Sequence, residues 1–323
     1  MRLTPLVLVT VVVLAHAVAP GAAQSLPSHY PLNPTAAARS GLYAPALAAP
    51  GGARWGGWIA MQYGNAIESE LDTITGASYL LDAELLHLSV GVRRDLSPTL
   101  FMTGEIATVG SYGGFADGFF DWYHDLIHFE MPERDARPTN RYAYRFDLPG
   151  SGVVERPASG LALGDARIGV GLRHSPRHQT LLSLTLPTAT GSGGFGRGTM
   201  SASVMHTLAA PLLETIVYEG TLGVGVTPKH GELAAFQRAA FFAVSSGIRW
   251  RVWGRQALYG YLFYHSPYFH GTGLPTLDRR ELTVDFGLIA REASGAEWRV
   301  GFTEDLAPGD QGIDLIMKIG RSW

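Results

Sequence analysis

The sequence predicts an all-β chain, a single antiparallel transmembrane β-barrel of about 12 strands with a long, partly helical extracellular loop. Three observations carry that reading. Apolar and polar residues alternate with period two over stretches of about ten residues, the connections alternate between short and long, and the last strand runs to the carboxyl terminus. The alternation is clearest from Thr215 to Thr227: Ile216, Tyr218, Leu222, Val224 and Val226 share one face, and Thr215, Glu219, Thr221, Gly223, Gly225 and Thr227 share the other. Successive side chains of a strand point to opposite sides of the sheet, so the apolar face suits lipid and the small polar face suits a lumen.

The same pattern places strands over 54–64, 79–94, 99–112, 160–174, 178–189, 200–209, 213–228, 239–253, 256–266, 280–291, 296–305 and 312–323. Within 79–94 the apolar set changes phase, from Tyr79, Leu81 and Leu85 to Leu86, Leu88, Val90 and Val92, which predicts a β-bulge. Short links such as "DLSP" after Arg94, "SPR" after His174, "GRQ" after Trp253 and "ASGA" after Glu292 alternate with longer ones near 65–78, 113–159, 190–199, 229–238 and 267–279. Short periplasmic turns opposite long outer loops have this rhythm. The closing stretch "GIDLIMKIGRSW" keeps alternating to its end because hydrocarbon offers no partner to an unpaired strand edge, so the last strand must pair with the first. Trp323 resembles the terminal aromatic by which the barrel-assembly machinery recognises outer-membrane proteins, although Arg321 interrupts the pattern upstream.

The composition agrees. Charged residues are 16% of the chain, against about a quarter in soluble domains, while aromatics reach 11%. A net charge of −3 without any basic run excludes a nucleic-acid partner. Zero cysteines exclude a disulfide-stapled scaffold and thiolate metal sites. Arg2, the apolar run Leu6 to Ala15 and the small residues Gly21 to Ala23 form a secretory signal, expected to be cleaved after Ala23, with Ala17 as a second site. The expected organisation is therefore a signal peptide over 1–23, a periplasmic segment over 24–53 and the barrel over 54–323, exported to the outer membrane. After the signal no apolar run approaches the roughly 18 residues of a spanning helix.

Few motifs carry chemistry. "GSGGFGRGT", Gly191 to Thr199, holds a literal G-x-G-x-x-G, but no helix follows and it is expected to be a flexible loop. Neither a G-x-S-x-G elbow nor an H-E-x-x-H motif occurs, and nothing calls for a cofactor. Charges expected inside the barrel include Glu84, Glu105, Asp165, Arg167, Arg173, Glu219, Arg249, Arg251, Asp285, Arg299 and Lys318, which either line a wet channel or pair across it. The loop from Asp117 to Gly150 opens with an amphipathic pattern: Phe119, Tyr123, Leu126 and Ile127 on one helical face, and Asp117, Asp121, His124, Asp125 and His128 on another. His124 and His128, one turn apart beside Asp121, are a weak candidate metal site, and Asp121 with His124 a candidate acid/base pair. The expectation is a lid, with the apolar face over the barrel mouth and Asp121 and His124 toward Arg167 or Arg173 in the lumen.

Together with "YPLNP" from Tyr30, "GLALGDARIG" from Gly160 and "VGFTEDL" from Val300, this loop resembles a bacterial outer-membrane family known as domain of unknown function 3187. The resemblance implies an outer-membrane barrel, supplies no activity, and directs attention to Asp121, His124, Arg134, Asp165, Glu304 and Asp305. With His128 and Arg167 these are the site candidates. The functional expectation is a narrow channel or binding barrel for a small solute, in contact with outer-membrane lipid. The alternatives are an outer-membrane hydrolase acting on lipid or peptide through the 117–134 loop, and a structural or interaction barrel with a sealed lumen.

Overall fold

A computed structural model describes residues 30–37, 39, 55–127, 137–191, 195–306 and 315–323. Among these residues fifteen strands form one sheet: β1 Trp55–Leu71, β2 Ser78–Asp95, β3 Leu100–Tyr112, β4 Ala143–Leu148, β5 Gly152–Glu155, β6 Gly160–Leu163, β7 Ala166–Ser175, β8 His178–Leu186, β9 Ser201–Pro211, β10 Ile216–Val226, β11 Ala240–Trp253, β12 Gln256–His265, β13 Glu281–Arg291, β14 Glu297–Asp305 and β15 Leu315–Ser322. Among the described residues three helices accompany them: α1 Pro34–Ala37, α2 Asp117–Ile127 and α3 Pro275–Asp278. Twelve strands close the barrel in the order β1-β2-β3-β7 and onward through β15 back to β1, each antiparallel to its neighbours. Closure runs from Trp58↔Ser322 to Asn65↔Leu315, and Trp323 extends it by exchanging two 3.0 Å backbone hydrogen bonds with Gly57.

The twelve expected strands are the twelve barrel positions. The stretch read as one strand over 160–174 is β6 and β7, separated at Gly164 and Asp165, where Gly164 N still reaches Ala107 O at 2.9 Å. Two expectations are corrected. First, the 113–159 connection carries a hairpin, β4 and β5, that alternation did not single out; β4 pairs with Ser78 to Asp82 of β2, above the last β2–β3 pair, Glu84↔Tyr112.

Second, β2 has no bulge, because its register with β1 is unbroken from Trp55↔Arg94 to Leu71↔Ser78. The phase change has another cause. Tyr79, Leu81 and Leu85 point inward into a buried apolar cluster that includes Leu32, whereas Leu86, Leu88, Val90 and Val92 point outward. One straight strand is thus apolar inside near its long-loop end and apolar outside lower down. Glu84, expected inside, points outward as a result.

On β10 the outward set is the predicted one, with Leu222, Val224 and Val226 each more than half exposed to the lipid side. Val224→Lys should destabilise the barrel by about 2–4 kcal/mol if Val224 sits near the bilayer midplane, and inward Thr221→Lys much less, both read from refolding titrations in lipid. Gly57 supports closure through its lack of a side chain, since a Cβ there would lie 2.9 Å from the Trp323 ring. Gly57→Val should lower the folded fraction, seen as loss of the fast-migrating unboiled band on a gel.

Candidate functional site

Among the described residues, two polar systems stand out in the barrel interior. Towards the short-turn end, inward carboxylates pair with arginine and lysine side chains of the same, adjacent and more distant strands. Glu219 binds Arg249 and the Tyr261 hydroxyl, Glu297 lies 3.4 Å from Arg249 and 3.0 Å from Arg291, and Lys318 lies 3.1 Å from Asp285. Asp95 takes Arg93 at 3.1 Å and Arg173 at 3.3 Å, and Arg173 also donates to Pro98 O at 2.7 Å. Charges of both signs at inward positions satisfy one another where each alone would carry a large desolvation cost.

The second system is the amino-terminal segment. Of the stretch 24–53, the described residues, 30–37 and 39, lie within the barrel wall and are almost wholly buried. Local chemistry shapes them. Asn33 caps α1, its Oδ1 accepting Thr35 N at 2.9 Å, and Pro34 occupies the first helical position, where no backbone N–H is needed. Asn33 Nδ2 then donates to Glu68 of β1 at 2.6 Å. Leu32 joins the cluster of Tyr79, Leu81 and Leu277, and Ala36 packs on Tyr268 and Phe269.

Arg39, the last described residue of the segment, lies at the long-loop end. Its guanidinium donates to three backbone carbonyls, Thr227 at 2.7 Å, Pro228 at 3.0 Å and Arg238 at 3.0 Å, while Thr227 Oγ1 donates back to Arg39 O at 3.0 Å. These carbonyls belong to the β10–β11 connection, so the segment is fastened to the mouth.

The long loop lies elsewhere. Helix α2 packs on the outer wall over β14, β15 and β1: Ala116, Phe120 and Tyr123 meet Leu315, Phe302, Met317 and Tyr63, all outward residues. The outward carboxylate of Glu84 accepts Phe115 N at 2.8 Å and the Tyr63 hydroxyl; Asn65 donates to Asp117 at 2.6 Å, and Arg137 to Asp82 at 2.6 Å. The expected lid over the lumen is therefore corrected to an outer-wall strap. Its packing face is Phe120 and Tyr123 rather than Phe119, and Phe115, Phe119 and Trp122 turn outward, Phe115 82% exposed. A groove of about 590 Å³ lies between Phe115 and Phe119 on one side and Met61, Met317 and Ile319 on the other.

The candidate residues separate accordingly. Asp121 is on α2, half-buried on the outer wall. His124 lies in α2 with its side chain outside the described set, and His128 and Arg134 lie outside the described residues. Glu304 is outward on β14 and accepts the Tyr123 hydroxyl at 2.7 Å, which joins it to the strap, while Asp305 follows it at the strand end. Asp165 sits at the β6–β7 break, where it accepts Arg197 N at 2.9 Å, Arg197 Nη1 at 3.1 Å and Ala189 N at 3.1 Å. Burial lowers the Arg197 guanidinium to about 9, so it stays charged at neutral pH. The described part of the glycine-rich stretch, read as a flexible loop, is thereby fixed, with Phe195 in the core cluster. Arg167 faces the lumen and binds Glu105 at 2.9 Å.

These positions do not converge on one site. The residues that do meet in the lumen, Tyr30, His87, Glu105 and Arg167, were missed as a group. A tyrosine in "YPLNP" gives no signal of its partner 75 residues away.

No curated protein matches the chain by sequence. Among solved structures it is similar to the COG4313 outer membrane channel from Pseudomonas putida F1, at 10% identity and a TM-score of 0.51, covering 83% of this chain and 94% of that one. Lower-scoring similarities include the toluene transporter TodX from Pseudomonas putida, at 10% identity and a TM-score of 0.40 over 93% and 95% of the two chains. The β domain of the Bordetella autotransporter BrkA gives 10% identity and a TM-score of 0.45 over 84% and 99%. The family profile for proteins of unknown function DUF3187 matches residues 72–323, most of the chain. With its closed twelve-strand barrel, the protein belongs to the DUF3187 family.

Proposed function

We propose that the protein is an outer-membrane channel for a small solute whose lumen is closed, in this conformation, by its own amino-terminal segment. The observation that carries the reading is the burial of residues 30–37 and 39 inside the wall, with Tyr30 bonded to Glu105 and Arg39 to three carbonyls of the β10–β11 connection. The wall itself is continuous through all twelve strands, and among the described residues the segment is joined to it by side-chain contacts, including a three-carbonyl latch at Arg39, rather than by a strand ladder. Such an insert can leave without breaking the sheet. The similarity to an outer membrane channel supports the same fold.

In this reading the signal peptide exports the chain, Trp323 presents the closing strand to the assembly machinery, and the longer connections face outward from the cell. The hydrolase alternative has less support. Asp121 stands on a strap against the lipid-facing wall, and the described carboxylates around it, Asp117 and Glu304, bind Asn65 and Tyr123.

Planar-bilayer recording tests the proposal. Each charge-assisted hydrogen bond of Arg39 is worth about 1.5–3 kcal/mol, so Arg39→Ala should raise the open-to-closed ratio by about tenfold or more. Removal of residues 30–39 should leave the barrel open. Unchanged conductance after that removal, in a barrel still folded by gel mobility, would overturn the channel reading.

A further inference from the structure

Tyr30 is held as a bound molecule is held. Its side chain is 2% exposed and its hydroxyl donates to Glu105, which also takes Arg167 at 2.9 Å. The Arg167 guanidinium stands 5.4 Å from the ring centroid, and the His87 ring lies 5.0 Å away at a 34° tilt. Beyond these polar partners, the ring belongs to an apolar cluster of Phe101, Leu181, Met205, Phe241 and Phe263, drawn from five strands around the barrel. Two wall glycines give those rings their room: a Cβ on Gly171 would sit 2.0 Å from Phe101, and one on Gly225 2.5 Å from Phe241.

The wall supplies every other part of this enclosure. Tyr30 is the one aromatic among the described residues of the inserted segment. Glu105 and Arg167 face each other in the β3–β7 register and form their 2.9 Å ion pair from wall residues alone. When the segment leaves, what remains is a ring-sized apolar slot with a carboxylate acceptor at one end and a guanidinium over its face. We propose that this slot is the barrel's solute site, that its ligand class is a small phenol, and that Tyr30 occupies it as an internal ligand which an incoming phenol replaces. The carboxylate selects for the hydroxyl, because a buried acceptor left without its donor is costly. The guanidinium and the rings select for the aromatic face. The inference rests on the channel reading and adds to it the ligand and the cause of opening.

The chain has no cysteine, so Ala36→Cys places one buried thiol on the inserted segment of the otherwise complete protein. In the refolded barrel p-cresol, the side chain of tyrosine as a free molecule, should speed labelling of that thiol by about tenfold, and toluene at equal concentration should not, the missing hydroxyl costing about tenfold or more in affinity. Glu105→Gln should narrow the difference between the two probes. Should the cysteine variant fail to fold, equilibrium dialysis of Tyr30→Ala gives the same comparison, with p-cresol held about tenfold more tightly than toluene. Equal responses to both probes, or none to either, would overturn the assignment. Bilayer recording separates the two readings. Selective p-cresol binding in a barrel that never conducts, even without residues 30–39, keeps the site and removes the channel; a conducting barrel blind to the hydroxyl keeps the channel and removes the site.

Discussion

Everything in the molecule follows from the need to give each backbone N–H and C=O a partner where water is absent. The β1–β15 seam meets that need. Without it two strand edges would face hydrocarbon, and no arrangement of side chains could compensate. The seam explains why the chain alternates to its final residue and why Gly57 carries no side chain against Trp323. It also separates an inner surface from an outer one, and the two surfaces solve different problems. Inside, charges are tolerated because they meet opposite charges at neighbouring inward positions, as in Glu105 with Arg167 and Asp285 with Lys318. Outside, polar groups are tolerated only where protein covers them.

Glu84 shows the second rule at work. An outward carboxylate on a membrane strand is costly if lipid touches it. Here it accepts two backbone N–H groups at the start of α2 and the Tyr63 hydroxyl, so it anchors the strap instead of facing lipid. Asp82 works in the same way through Arg137, and wall residue Asn65 donates to Asp117 at the start of the strap. The strap's position is thus set by charges on the wall, and its amphipathic sequence serves to pack Phe120 and Tyr123 against apolar wall residues.

The sequence revealed what depends on local periodicity and little that depends on convergence. Strand positions were legible because the Ile216 to Val226 alternation is enforced at every second residue by the lipid on one side and the lumen on the other. Closure was legible in the ending, and Arg167 was correctly placed inside from its phase on β7. The strap was legible as a helix but misplaced, because helical periodicity identifies an apolar face without saying which surface it covers. The switch in β2 was visible and misassigned: a bulge and a change in what covers each face leave the same trace in a single sequence. The lumen site was invisible, because Tyr30, His87, Glu105 and Arg167 come from four separate segments whose meeting depends on the insertion of the first. Only the structure relates them.

The strap also changes how the barrel meets its bilayer. On the β10 side the lipid contacts strand residues directly, Leu222, Val224 and Val226 in turn. On the β1–β2 side the bare apolar wall ends near Met61 and Leu88, and above it come covered polar residues and the outward rings of Phe115, Phe119 and Trp122. Aromatic side chains settle at the headgroup boundary. The apolar girdle therefore has unequal height around its circumference, and a membrane of uniform thickness must accommodate it by tilting the barrel or by deforming locally beside the helix. The surrounding lipid has a distinguishable side to recognise, and the barrel a preferred orientation towards whatever else shares that membrane.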